Sequence, residues 1–230
     1  MTLDSGHLGI APPGVYEIIL QAIRPVGGLR ILDIPSASGR FAEQLAREGA
    51  LCVAADRVPI PTHKPSIVAD MDCPLPFSDA AFDLITCIEG IEHTQSPFLL
   101  TREFSRLLRP GGRLIVTTPN IHNLRSRIKF LLRGTLYWFD PREVLGIGHI
   151  SVIPYFILKH ILALSGFEMV ALQTNRAIWP SLPAWVARGM SSLFSKATEG
   201  DRELNSPLLL NGEGLIVFAR KATGRGSSAR

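Results

Sequence analysis

The chain has 230 residues, of which 46% are hydrophobic and 19% charged, and this composition excludes an intrinsically disordered protein. Its three cysteines lack paired metal-binding spacing, which argues against zinc ribbons and disulfide scaffolds and favours a reducing compartment. The formal charge of +4 comes from the four basic residues of segment 220–230, which holds no acid, so it is weak evidence for nucleic-acid binding.

Strand-like and helix-like segments alternate from residue 29 onward. Runs rich in Ile, Val and Leu predict strands over 29–34, 51–56, 66–70, 82–88, 113–119, 167–174 and 214–221. Helical spacing and helix-ending signals predict helices over 41–48, 97–108, 121–131, 153–165 and 183–196. Apolar strands separated by helices indicate an α/β fold whose mostly parallel sheet of seven strands is covered by helices on both faces.

We predict one domain over residues 1–221. A helical cap is expected over 1–27, insertions over 120–150 and 176–212, and a flexible basic tail over 222–230. The first residues lack a cationic start and an apolar centre, so no signal peptide is expected. The mean hydropathy of +0.21 is high for a soluble protein, which leaves peripheral contact with a membrane open.

Acidic residues follow three of the predicted strands. The first strand ends at Asp33 and is followed by the small residues of the turn IPSASG and by a helix, an arrangement that suits a polar or anionic ligand. The second strand ends at Asp56, where a carboxylate can accept both hydroxyls of a ribose. The third ends at Asp70, before Met71. Because parallel strands end at the same sheet edge, we expect the three acids to line one site.

Four segments in order, ILDIPSASG, ADMDCPLPF, AAFDLITCIEGIEH and LLRPGGRLIVTTPN, resemble the motifs of the class I S-adenosylmethionine-dependent methyltransferases. The resemblance covers about residues 28–175 and the last strand, and it implies a doubly wound, Rossmann-like fold. It also implies that Asp33 and Gly39 line the methionine part of the cofactor, that Asp56 holds the ribose and that Asp70 and Met71 flank the adenine. The full set of cofactor-binding residues expected from it is Asp33, Pro35, Ser36, Ala37, Gly39, Asp56, Arg57, Asp70, Met71 and Cys87.

The turn after the first strand departs from the family at two positions. Pro35 and Ala37 stand where the family usually has glycine, and the loop is expected to work if both have ordinary negative φ values. A relative that binds the cofactor without catalysis is therefore an alternative. The same turn breaks the G-x-G-x-x-G pattern of NAD-binding proteins, and Asp33 would repel a pyrophosphate, which excludes a dehydrogenase.

The segment after the fourth predicted strand holds the candidate catalytic residues Glu89, Glu92 and His93. Their i, i+3, i+4 spacing would place them on one face of a helical turn, and two carboxylates with an imidazole suit a divalent metal. The element resembles that of ubiquinone-biosynthesis O-methyltransferases and of small-RNA 3′-end 2′-O-methyltransferases. In the second group a later histidine completes a metal site, and His149 is the candidate for that position.

Two other roles are open for these residues. Without a metal, His93 or His149 could act as general base for a hydroxyl acceptor. Alternatively, Glu89, Glu92 and the histidines cap helices and pair with neighbours. His122 is a lone loop histidine for which solvent exposure is expected rather than catalysis.

The first insertion offers two interpretations. Leu124, Ile128 and Leu131 recur at helical spacing before the aromatic run 137–139. The helix either packs on the core, with its basic residues in solvent, or forms a lid over the acceptor that contacts a membrane through apolar and basic stripes. In the second case the apolar surface extends to Trp179, Trp185 and Phe194.

The leading hypothesis is an enzyme, either cytoplasmic or peripheral at a membrane, that transfers a methyl group from S-adenosylmethionine to an oxygen of a small-molecule or lipid-linked acceptor. RNA 2′-O-methylation is a second hypothesis, against which the neutral body and the lack of RNA-binding motifs argue. A non-catalytic cofactor-binding protein is the third.

Overall fold

The computed structural model describes residues 11–179, 184–197 and 203–223. Seven strands form one sheet in the order β3-β2-β1-β4-β5-β7-β6, with β7 antiparallel to both β5 and β6 and the other pairs parallel. The strands are β1 (Arg30–Asp33), β2 (Leu51–Asp56), β3 (Ser66–Val68), β4 (Phe82–Cys87), β5 (Leu108–Pro119), β6 (Phe167–Thr174) and β7 (Gly214–Lys221). The predicted mostly parallel, seven-stranded sheet is confirmed.

Helices cover both faces of the sheet. They are α1 (Val15–Ile23), α2 (Arg40–Arg47), α3 (Pro97–Leu107), α4 (Leu124–Arg133), α5 (Tyr155–Leu164), α6 (Ala184–Ala197) and α7 (Pro207–Asn211), with a 3₁₀ turn at Ile91–His93 and a π-helical turn at Glu143–Ile147. Successive strand residues point to opposite faces. Ile31, Leu84 and Ile115 therefore pack in one core with α1 and α2, whereas Leu32, Ile85 and Val116 pack in the other with α3 and α5.

The strand β5 begins earlier than predicted. Leu108 pairs with Phe82 and Arg113 pairs with Leu84, so the intervening residues bulge opposite Asp83. The carboxylate of Asp83 accepts hydrogen bonds from the side chains of Arg30 and Arg109, which holds the bulge against β1. The proline and glycines at 110–112 therefore interrupt the pairing within the strand instead of preceding it.

The helix α4 does not pack in the core, so that interpretation of the first insertion is wrong. Among its residues, all of them described, Ser126 is the single buried side chain. The three leucine and isoleucine side chains at 128, 131 and 132 are exposed.

His122 is not a solvent-facing histidine. Its Nε2 accepts the backbone N–H of Tyr155 at 2.9 Å, at the start of α5, and burial lowers the pKa of the ring to about 4. The imidazole therefore accepts one of the N–H groups that have no acceptor within the first turn of a helix.

Several expectations concern segments outside the described residues. These are residues 1–10 of the predicted cap, Pro183 in the predicted helix 183–196, and most of the predicted tail, 224–230. Of the aromatic residues in the second insertion, Trp185 on α6 is exposed and Trp179 is half-buried, whereas the side chain of Phe194 lies outside the description. Within the described ranges, no helix has the length and apolarity needed to cross a bilayer.

Candidate functional site

A cavity of about 460 Å³ opens at the carboxyl ends of β1, β2 and β4. The strand order changes direction between β1 and β4, which is where open α/β sheets bind their ligands. Eight of the ten residues expected to bind the cofactor line this cavity: Asp33, Pro35, Ser36, Ala37, Asp56, Arg57, Asp70 and Met71. The sheet edge therefore brings together side chains from three separate strand ends.

Asp33 anchors the loop that follows β1. Its carboxylate accepts hydrogen bonds from the hydroxyl of Ser36 at 2.6 Å and from the hydroxyl of Thr86, on β4, at 2.7 Å. Burial raises the pKa of Asp33 to about 6, although both hydrogen bonds lower it. The carboxyl group thus holds the loop against β4 and faces the cavity at the same time.

The loop conformation differs from the expected one at Ala37. Its φ is +49°, in the left-handed region that favours glycine, so the condition of an ordinary negative φ is not met at this position. The N–H of Ala37 donates to Asp56 Oδ2 at 2.8 Å, and the N–H of Val58 donates to Oδ1 at 3.2 Å. Asp56 therefore fixes the strained loop, and its carboxylate keeps lone pairs for a ligand hydroxyl.

We expect Ala37→Gly to leave the free energy of unfolding unchanged or to raise it by up to about 1 kcal/mol. Glycine removes the left-handed strain, about 1–2 kcal/mol, but loses about 0.5–1 kcal/mol of chain entropy on folding. Ala46→Gly in α2 is the matched control and should cost about 1 kcal/mol. Denaturant unfolding of both variants measures the difference. Equal destabilisation by the two would show that Ala37 is not strained.

Gly39 and Cys87 do not line the cavity, unlike the other expected cofactor residues. Gly39 precedes α2 with a φ of +76°, and a Cβ there would lie 2.7 Å from Ile60 Cγ2, so glycine is required for the turn itself. Cys87 is fully buried at the end of β4, where burial raises its pKa well above the ordinary value.

Glu92, His93 and His149 form a cluster whose potential ligand atoms lie within 4.8 Å of one another. Glu89 is not part of it, so the predicted convergence of four residues is wrong in that respect. Its φ of +46° interrupts the predicted helical turn, and its carboxylate accepts the Thr117 hydroxyl at 2.6 Å. Glu89 instead occupies a neighbouring part of the cavity wall, which it lines together with both histidines.

Backbone carbonyls orient both histidines. His93 Nδ1 donates to the carbonyl of Gly148 at 3.1 Å, and His149 Nδ1 donates to that of Trp138 at 2.7 Å. Because a carbonyl oxygen can only accept, Nδ1 holds the proton of each ring and Nε2 keeps a lone pair. The ring centroids are 4.8 Å apart. Burial and the neighbouring His149 lower the pKa of His93 to about 4, so that this ring is neutral at physiological pH.

The two glutamates behave as weak acids. Glu92 is fully buried, and no group in the described part of the chain donates to its carboxylate oxygens at hydrogen-bonding geometry, although Thr118 is close enough to lower its pKa. Burial and Glu89 nevertheless raise the pKa of Glu92 well above its ordinary value. Burial also raises the pKa of Glu89 to about 7, and Glu213 adds to the rise.

The sequence did not point to several residues that line the cavity, among them Tyr16, Glu213 and the apolar pair Ile147 and Ile150. Tyr16 reaches the cavity from α1 and stacks on Phe41 with ring centroids 4.7 Å apart. Burial and Asp33 raise the pKa of its phenol to about 12. These residues belong to no motif, and the packing of distant segments brings them to the site. The aromatic run 137–139 was the one signal for Trp138, which also lines the wall.

Comparison with known proteins gives a consistent result. The family described as "Methyltransferase domain" matches residues 15–172. The Ubiquinone biosynthesis O-methyltransferase of Xylella fastidiosa is 34% identical over 108 residues, which span 42% of this chain and 44% of that protein. The Demethylmenaquinone methyltransferase of Mycobacterium bovis is 28% identical over 168 residues, 69% of this chain and 70% of that protein.

The fold is also similar to that of solved structures. An S-adenosylmethionine-dependent methyltransferase from Archaeoglobus fulgidus superposes with a TM-score of 0.61 at 20% identity, covering 90% of this chain and 95% of that one. At this level of identity the similarity concerns the fold.

Proposed function

The chain belongs to the methyltransferase domain family and is an S-adenosylmethionine-dependent methyltransferase. From that premise we propose that it methylates a hydroxyl oxygen on a quinone-type ring attached to a lipid. The observation that carries the proposal is that one cavity, at the ends of β1, β2 and β4, holds in its wall both the strand-end carboxylates and the side chains of Glu89, His93 and His149. The names of the two relatives support the quinone-type acceptor, and that of the Xylella protein supports oxygen as the attacked atom.

We assign the two ends of the cavity to the two substrates. Asp56 accepts the ribose hydroxyls of the cofactor, Asp70 and Met71 flank its adenine, and the loop held by Asp33 encloses its methionine part. Glu89, His93 and His149 then face the acceptor. The assignment rests on their common cavity and on the need to align the acceptor oxygen with the methyl group while excluding water.

Glu89 is the proposed proton acceptor for the attacking hydroxyl. A general base works best when its pKa is close to the operating pH, and the pKa of Glu89 is raised to about 7. His93, whose pKa is lowered to about 4, is the weaker base. The hydroxyl of Thr117 donates to Glu89 and so orients its carboxylate.

The cluster of Glu92, His93 and His149 fits a divalent cation. The Glu92 oxygens lack well-oriented donors in the described chain, and both rings keep an Nε2 lone pair because their Nδ1 protons go to carbonyls. Such outer hydrogen bonds are typical of metal-binding histidines. When bound, a cation would lower the pKa of an acceptor hydroxyl. Glu89 lies outside the set of ligands.

A methyl-transfer assay tests the proposal. With labelled S-adenosylmethionine and hydroxylated quinone analogues, we expect label on oxygen as a methyl ether. Chelation is expected to lower turnover at least about tenfold, and magnesium, manganese or zinc should restore it. Label on carbon would refute the oxygen assignment, and turnover that is insensitive to chelation would refute the cation. A folded protein that does not bind the cofactor would favour the non-catalytic alternative.

Exposed apolar side chains occur on α4 and on the segment 144–150, part of which lines the cavity. Leu131 of α4 and Leu145 of the π-helical turn are 83% and 86% exposed, and Ile147 and Ile150 are exposed residues that also line the cavity. The basic residues Arg133 and Arg142 are exposed in the same segments. Apolar and basic side chains together suit an anionic bilayer. We therefore propose that the exposed apolar surface of residues 128–133 and 144–150 contacts the membrane that holds the acceptor.

The double variant Leu131→Asp, Leu145→Asp is expected to bind anionic phospholipid vesicles at least tenfold more weakly than the wild type, because each change removes apolar contact and adds like charge. Its melting temperature should change by less than about 2 °C, since exposed substitutions have small effects. Leu51→Asp is the control, because Leu51 is 65% exposed at the other end of β2. Equal vesicle sedimentation by the wild type and the double variant would contradict the assignment.

The RNA alternative has less support. The exposed side chains of residues 128–133 and 144–150 are largely apolar, whereas binding to a phosphate backbone depends on clustered basic residues. Retention on RNA that falls steeply with salt concentration would support the RNA alternative.

A further inference from the structure

We propose that Trp138 selects the acceptor: its indole stacks on the planar ring of the substrate and so favours aromatic over non-planar acceptors. The inference rests on the proposed function, since it names the residue that would recognise a quinone-type ring. Trp138 has a backbone conformation that tryptophan rarely adopts.

Trp138 occupies the third position of a tight turn. The N–H of Phe139 donates to the carbonyl of Leu136 at 3.3 Å, and Trp138 between them has a φ of +69°. A left-handed third position in a turn normally belongs to glycine or asparagine. A bulky residue there is a genuine outlier, and residues in such conformations cluster at ligand-binding sites.

His149 holds this turn in place. Its Nδ1 donates to the carbonyl of Trp138 at 2.7 Å, and its ring lies 5.5 Å from that of the buried Phe139 and 6.4 Å from the indole, measured between centroids. The indole lines the cavity together with His93 and His149. The backbone position of the tryptophan is thus coupled to the histidine cluster that the acceptor hydroxyl would approach.

The adjacent aromatic residue, Tyr137, does not line the cavity, although its ring centroid lies 5.0 Å from that of Trp138. The ring of Tyr137 lies under the guanidinium of Arg125, 4.1 Å from its centroid, and its N–H donates to the Ser126 hydroxyl. Tyr137 is absent from the cavity wall. Of these two contacting aromatic residues, Tyr137 therefore packs on α4 and Trp138 lines the site.

An indole is suited to a quinone-type ring. Aromatic pairs gain free energy from offset stacking beyond the area that they bury, and the electron-rich indole complements an electron-poor ring. Ile147 and Ile150, in the same wall, provide apolar contacts for such a ring. An aliphatic acceptor would gain the apolar contacts but not the stacking.

Steady-state kinetics with three variants tests the proposal. We expect Trp138→Leu to raise the KM for an aromatic acceptor at least tenfold, and Trp138→Phe to raise it less than about threefold. Trp138→Asn should raise the KM as much as Trp138→Leu does. It should also fold at least as stably as the wild type, because asparagine readily adopts the left-handed conformation. The Kd for S-adenosylmethionine should stay unchanged in all three. Trp185→Leu is the matched control: Trp185 is 71% exposed on α6 and does not line the cavity, so the KM of this variant should stay close to that of the wild type.

A binding measurement separates this inference from the proposed function. The chain has three tryptophans. Binding of a short-chain 1,4-benzoquinone should quench part of the tryptophan fluorescence of the wild type, and this quenching should saturate. The Trp138→Phe variant should lack the saturable part of the quenching. An unchanged KM in the leucine and asparagine variants would overturn the role of Trp138, as would saturable quenching that persists in Trp138→Phe. A wild type that methylates no aromatic hydroxyl, yet shows the quenching, would overturn the proposed reaction and leave the aromatic site standing.

Discussion

Replacing Glu89 with glutamine is expected to lower kcat by about 10²- to 10⁴-fold, the usual contribution of a general base. Glutamine keeps the shape of the side chain but cannot accept the hydroxyl proton. The wild-type kcat should rise with pH through about 7, because the pKa of Glu89 is raised to about 7 and its base form appears above that value. The variant should lose this rise. Rapid-quench or steady-state measurement of kcat between pH 5 and 9 provides both readouts.

Two further variants test whether the effect belongs to Glu89. Thr117→Val removes the hydroxyl that donates to the carboxylate; since this hydrogen bond lowers the pKa of Glu89, its loss should move the pH profile to higher pH. Glu43→Gln, on the exposed side of α2 in an ion pair with Arg47, should have no effect on kcat. A pH profile that is the same in the wild type and in Glu89→Gln would assign the proton acceptor to another group.

Asp56→Ala is expected to weaken S-adenosylmethionine binding by about 1.5–3 kcal/mol, the range for hydrogen bonds to a charged group, which is an increase in Kd of about 10- to 150-fold. The change removes the acceptor for the ribose hydroxyls. It also releases the N–H groups of Ala37 and Val58, which Asp56 accepts, so that the loop after β1 loses its link to β2. Titration calorimetry measures the Kd.

The control for Asp56 is an acid remote from the cavity. Asp79 is exposed and pairs with Arg106, and Asp79→Ala should leave the Kd unchanged. The thermal unfolding of Asp56→Ala must be measured beside its Kd, because only a folded variant reports on binding. An unchanged Kd in a folded Asp56→Ala would show that the ribose lies elsewhere.

Much of the sheet could be predicted because of where its strands lie. Strands buried on both faces consist almost wholly of apolar residues, and β1, β2 and β4 stand out for that reason. The acids at their ends could be assigned to one site because parallel strands finish at a common edge. Asp33, Asp56 and Asp70 do line one cavity.

Other local features could not be predicted, because tertiary contacts override local preference. Ala37 has a left-handed backbone conformation, in which its N–H donates to Asp56. Glu89 is not part of a helical turn, because its backbone N–H and its carboxylate both form hydrogen bonds with the Thr117 hydroxyl. The helix α4 has the apolar spacing of a core helix, yet Ile128, Leu131 and Leu132 are exposed. Spacing shows that a helix has an apolar face but does not show what that face contacts.

The sequence by itself determined the fold class, the sheet edge at which the candidate site lies and the methyltransferase family, since these depend on patterns within short segments. Only the tertiary structure decided which side chains meet there. His149 joins His93 across more than 50 residues, linked by the Gly148 carbonyl, and Tyr16 arrives from a helix that precedes the first strand. Trp138 lines the cavity whereas Tyr137 packs against Arg125 of α4, in a turn to which His149 donates a hydrogen bond. Such contacts depend on the packing of the whole chain, which no local spacing encodes.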